Sequence, residues 1–167
     1  MRLPIVLFML VVGVAALGIV ACGGSDDDSG ASAAGSSAAI VSVASVDGTD
    51  VLADAQGRTL YTAAVEKGGK ILCVDACTSF WAPVAASPAD ARAAASELDA
   101  DLSVLKRPEG SQQLTLDGLP LYTFTEEAAG QLTGDGFADD FDGTHFEWQA
   151  ARTDGGSTSN TRSGYGY

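Results

Sequence analysis

The chain is poor in the residues from which metal centres and nucleophilic active sites are built. Among 167 residues there is one histidine, His145, and there are three cysteines, too thin a supply for a tetrahedral zinc or copper site. No Gly-x-Ser-x-Gly elbow is present, and the lone histidine has no evident serine or cysteine partner, so the usual nucleophilic designs are missing. The glycines sit in turns and tails, not in a phosphate-cradling loop. Basic residues are scarce as well: nine Lys and Arg face 22 Asp and Glu, for a net charge of −13. That field repels phosphate backbones and no basic stripe overrides it, so nucleic acid is not an expected partner. These shortages point to a protein that is not an enzyme and carries no cofactor. Its acidity reads as solubility at an outer surface, with attraction of cations or basic proteins as the other use.

What is abundant at the start is hydrocarbon. After Arg2, an unbroken apolar run from Leu3 to Ala21 ends in small residues before Cys22, the pattern of an export signal over residues 1–21. A transmembrane helix is the alternative for a run of that length. The junction Ile19-Val20-Ala21-Cys22 resembles the lipobox of bacterial lipoproteins. The resemblance implies that the Cys22 thiol, the good sulfur nucleophile such chemistry needs, takes a diacylglyceryl group (carrying palmitate and related acyl chains) by thioether formation and that the leader is then cut ahead of it. Two or three acyl chains anchor stably where one binds only marginally. The expected location is therefore the cell membrane, on its extracytoplasmic face. Loss of the leader removes Arg2 alone among charged residues, leaving eight basic residues against 22 acidic ones.

Residues 22–39 continue from the lipid-bearing cysteine into GGSDDDSGASAAGSSAA, too poor in apolar surface to order itself. As a flexible coil it reaches roughly 20–25 Å. Residues 154–167 (DGGSTSNTRSGYGY) read as a loose tail. Residues 40–153 remain, enough for one ordinary domain, expected to be a monomer. With Cys22 acylated, Cys73 and Cys77 in "CVDAC" are the remaining pair. In an oxidising compartment they read as a disulfide across one turn, contributing about 2 kcal/mol by the chain-entropy estimate. A redox couple is the active alternative, although its usual spacing is Cys-x-x-Cys. Haem attachment lacks the Cys-x-x-Cys-His arrangement.

The body contains an internal echo. At an offset of 61, Gly57 matches Gly118, Leu60 matches Leu121, and Tyr61-Thr62 matches Tyr122-Thr123. Further along, Glu66 matches Glu127 and Gly69 matches Gly130. Each copy reads as a β-hairpin, a turn between two short alternating runs, and Asp117-Gly118 supplies the positive φ of a tight primed turn. Further strands are expected at Ile40–Val46, Leu102–Lys106 and Thr144–Ala150, where Phe146 and Trp148 alternate with polar neighbours. Pro88–Asp99 reads as a helix, with Ser87 as N-cap and Pro88 at the first position. The expected fold is mainly β: a single pseudo-two-fold domain of two hairpin repeats, a small sandwich or open barrel, with one short helix. The first repeat spans about 46–86 and the second about 102–153.

The lipobox, the two Gly-x-x-Leu-Tyr copies, Cys-x3-Cys followed by Trp81, and "KRPEGSQQLTLDGLPLYTF" together resemble a bacterial lipoprotein family. That family is described by its Tyr-x-aromatic-x-x-Asp motif and known as the secreted repeat of unknown function. The resemblance spans most of Val46 to Thr153 and implies a surface-anchored β-rich lipoprotein with no established reaction. The motif falls on Tyr122, Phe124 and Glu127 in the second copy, and on Tyr61, Ala63 and Glu66 in the first, where the aromatic is missing.

A tyrosine five residues before an acid could form a proton donor and acceptor pair. The plainer reading makes Tyr122 and Phe124 core residues on one strand face, with the acid as a turn residue capping backbone N–H groups. The acidic stretch Gly134–Gly143 offers irregular calcium ligation by Asp135, Asp139, Asp140 and Asp142, but the EF-hand pattern fails at Ala138 and Gln149, and solvated turns suffice. The leading expectation is a membrane-anchored, non-catalytic binding or structural surface module whose ligand is an unidentified protein or small molecule. A redox or electron-transfer accessory using Cys73/Cys77 and a calcium-dependent acidic module are the alternatives.

Overall fold

The computed structural model describes residues 39–153. The leader, Cys22, residues 22–38 of the tether and the tail 154–167 lie outside the described residues. Ten strands and one α-helix follow in order: β1 Val41–Val46, β2 Thr49–Asp54, β3 Leu60–Ala63, β4 Trp81–Pro83, α1 Pro88–Leu98, β5 Leu102–Lys106, β6 Gln112–Leu116, β7 Leu119–Pro120, β8 Tyr122–Phe124, β9 Ala138–Phe141 and β10 Thr144–Ala150. Two 3₁₀ turns, Ala64–Glu66 and Asp75–Ser79, lie between β3 and β4. Among the described residues the fold is mainly β, in three sheets with no closed barrel, compatible with a small sandwich.

The tight turns follow from Asp-Gly dipeptides. Asp47-Gly48, Asp117-Gly118 and Asp142-Gly143 all have positive φ at both positions and close the hairpins β1–β2, β6–β7 and β9–β10. The last of these sits where partial EF-hand spacing was noted, and the acidic stretch around it is not a plain loop: it contains β9. Helix α1 starts at a capping box in which Ser87 Oγ accepts from the Asp90 N–H and Asp90 accepts from the Ser87 N–H. It ends at Asp99, which adopts the left-handed conformation.

The two repeats are interwoven. The central sheet has the order β4-β8-β3-β10-β9, with β3 and β8 antiparallel and Tyr61 opposite Tyr122. The strand that ends the first repeat, β4, pairs with β8 of the second, and β10 of the second pairs with β3 of the first. The equivalence extends to registers and single bonds. Trp81 lies opposite Phe124 as Trp148 lies opposite Ala63. Val84 donates to the Leu121 carbonyl as Ala151 donates to that of Leu60. Moreover β1 pairs with β2 as β5 pairs with β6, so the first repeat begins at Val41 rather than near residue 46.

Alternation along these strands separates two cores. An aromatic core gathers Tyr61, Trp81, Tyr122, Phe124, Phe146 and Trp148 with the cysteine pair. An aliphatic core gathers Val41, Leu52, Leu60, Leu114 and Leu121 beneath Ala91 and Ala94 of α1. Each large buried side chain contributes roughly 1.5–3 kcal/mol of transfer free energy. The helix therefore closes the aliphatic side, and its start depends on the cap. Ser87→Ala is expected to lower unfolding free energy by about 1 kcal/mol, read as a shifted urea midpoint at unchanged slope.

Candidate functional site

The motif residues converge at the centre of the molecule, but across copies instead of within one. The Tyr61 hydroxyl donates to Glu127, 2.9 Å from Oε1 and 2.7 Å from Oε2. The Tyr122 hydroxyl donates to Glu66 Oε1 at 3.0 Å. Each tyrosine thus serves the other repeat's acid. The matched glycines cross in the same way: Gly130 N–H donates to the Gly57 carbonyl at 2.9 Å, and Gly69 N–H to that of Gly118 at 3.0 Å. Tyr61 and Tyr122 stand opposite one another in the antiparallel pair β3–β8, and each phenol reaches the acid of the other repeat.

Both acids also cap backbone, as expected for turn residues. Glu66 Oε1 accepts from the N–H groups of Leu72 and Cys73 at 2.7 and 2.8 Å, while Glu127 Oε2 accepts from Gly134 N–H at 2.9 Å and the Thr133 hydroxyl at 2.7 Å. Tyr61, Tyr122 and Glu66 are fully buried, Glu127 nearly so. Phe124 is buried too, stacked on Trp81 with ring centroids 4.7 Å apart. Burial pushes both phenols well above the usual tyrosine range, and their carboxyl partners push them further, so they remain hydroxyl donors.

The two acids are not equivalent. Glu127 has partners on both oxygens, whereas Glu66 Oε2 is buried without a hydrogen-bond partner among the described residues. Burial raises the Glu66 carboxyl above its ordinary value of 4.5, against the N–H groups of Cys73 and Leu72, the Tyr122 hydroxyl and the Arg107 charge, which pull it down. Arg107 was not recognised as a site residue from sequence. It is buried, and its guanidinium donates to the Cys73 carbonyl at 2.9 Å and to Gln113 Oε1 at 2.6 Å; Gln113 in turn donates to the Leu121 carbonyl. The "KRPEG" segment therefore ties the second repeat to the cysteine loop of the first.

Cys73 and Cys77 form a disulfide with Cα atoms 5.2 Å apart. Both residues are fully buried in the aromatic core, which denies an incoming thiolate the access that exchange requires. The four aspartates proposed for calcium point to separate tasks. Asp135 accepts from Ala150 N–H and faces Arg152; Asp139 accepts from two indoles, Trp81 Nε1 at 2.8 Å and Trp148 Nε1 at 2.9 Å; Asp140 faces His145 at 3.1 Å; Asp142 shapes a turn. Among the described residues no three His, Cys, Asp or Glu side chains come together as a metal cluster would.

Residues 103–146 match the family model described as a secreted repeat of unknown function. No curated protein and no solved structure matches the chain. The matched segment runs from β5 into the start of β10 and includes Arg107, Tyr122, Phe124, Glu127 and Asp139, most of the second copy.

Two outcomes follow from this geometry. Because the Glu66 carboxyl is raised in the folded state, its contribution is full below about pH 4.5 and declines as pH rises through the raised value. Glu66→Gln should remove that slope, so urea titrations from about pH 4 to 8 should move the stability difference in the variant's favour by up to about 1.4 kcal/mol per pH unit within the window. At Gly134 a Cβ would lie 2.8 Å from Tyr61 Cζ and 3.1 Å from Trp81 Cη2, both in buried rings. Gly134→Ala should therefore destabilise by about 1–3 kcal/mol, read as a lowered melting temperature.

Proposed function

We propose that this chain is a non-catalytic module of the cell envelope, held by lipid on Cys22 at the extracytoplasmic face of the membrane and acting there as a monomeric binding or structural surface domain. The observation that carries the non-catalytic reading is the crossed pairing of Tyr61 with Glu127 and Tyr122 with Glu66: the motif's polar heads are buried and engaged with one another, not open to a substrate. The buried disulfide favours a structural bridge over a redox centre in the same way. The match to a secreted repeat supports life outside the cytoplasm. The leader and its lipobox-like junction support the anchor.

Cys22→Ala tests the anchor. The native protein is expected in the membrane fraction with an acylated amino terminus by mass spectrometry. The variant is expected to lack the acyl mass and to keep the leader uncleaved, while the folded domain melts at the same temperature. An unmodified terminus on the native protein, or its leader still attached, overturns the reading.

A further inference from the structure

We infer that the groove between Phe80, Phe137 and Phe141 is a binding site for a small quaternary ammonium ion, with Asp139 as its fixed counter-charge. Phe80 and Phe137 are each 42% exposed, unusual for rings of this size, and they open onto one cleft of about 260 Å³ with Phe141 and the edge of Phe124. Two aromatic walls face it: Phe80 with Phe141, centroids 6.0 Å apart, and Phe124 with Phe137, 5.5 Å apart. Aromatic faces attract cations, most strongly where water is partly excluded.

The charge of the lining agrees. Asp139, Asp140 and Glu126 are among the residues that line the groove, and among the described residues no Lys or Arg lines it. Asp140 faces His145, whereas Asp139 and Glu126 make no ion pair among the described residues. Asp139 is half-buried and locked by the two stacked indoles of Trp81 and Trp148, so its charge is held in place without a counter-ion. Because each of its oxygens already accepts an indole N–H, it offers field more than free acceptors. That suits an alkylated, weakly hydrated cation better than a primary ammonium with three N–H groups to satisfy. The small volume favours a compact free solute, and the acidic rim disfavours a zwitterion bearing its own carboxylate. The inference goes beyond the envelope reading and stands whether or not Cys22 is acylated.

Calorimetric titration of the purified full chain with choline chloride tests it, beside glycine betaine, lysine amide and the neutral isostere 3,3-dimethylbutan-1-ol. Saturable choline binding is expected, weakening as salt is raised, with the other three at least about tenfold weaker. Phe80→Leu and Phe137→Leu, both at exposed rings, should each weaken choline about threefold to fivefold. Equal binding of the neutral alcohol would reduce the groove to an apolar cleft and overturn the assignment. So would tighter binding of lysine amide, indifference to both leucine variants, or no saturation up to about 50 mM choline.

Discussion

The molecule is organised around two buried carboxyl groups, each of which takes a phenol from the other repeat beside the N–H groups of its own turn. A buried acid without partners costs several kcal/mol, so its hydrogen bonds constrain the surrounding chain more firmly than apolar contacts do. Glu66 receives the phenol of Tyr122, and Glu127 receives that of Tyr61. For both bonds to form, β3 and β8 must lie antiparallel in one register, and the strands flanking them are then fixed: β4 beside β8 and β10 beside β3. The crossed phenols, the crossed glycine bonds and the exchanged outer strands are three expressions of one local two-fold arrangement.

Departures from that symmetry occur where each copy meets a different neighbourhood. Ala63 stands where Phe124 stands in the other copy, and the space on that side is occupied by Trp148, which stacks on Trp81 at 3.9 Å and on Phe146 at 5.3 Å. The missing aromatic of the first motif is therefore not a cavity but a place where a small residue lies beside a large one. Likewise Glu127 has the Tyr61 phenol across both oxygens and the Thr133 hydroxyl and Gly134 N–H on Oε2, while Glu66 leans on one oxygen and on the nearby charge of Arg107.

Much of this was legible in the residues. The bounds of β5 and β10 follow from alternation, those of α1 from Ser87, Pro88 and the end of the alanine-rich run, and the β6–β7 turn from Asp117-Gly118. The short strands β4 and β9 were not. Three residues ending in proline, and four of which two are aspartate, carry too little periodicity, and only long-range pairing makes them strands. The equivalence of Trp81 and Trp148 was hidden because the copies drift out of the 61-residue offset before these strands begin. The partner of each tyrosine is not legible for a related reason: proximity along the chain suggests Tyr61 with Glu66, whereas each phenol bonds the acid of the other copy. Nothing local in "KRPEG" announces a buried guanidinium, since its acceptors are supplied by Cys73 and Gln113.

The exchange of β4 and β10 fixes the smallest unit that can exist. Half of this chain, taken alone, would present a central strand with bare edges on both sides and a carboxyl group sealed from water with no phenol to meet it. Such a fragment could rest only against a second fragment of the same kind. The present protein is in that sense a dimer written as a single polypeptide, with the helix as the splice that joins its subunits.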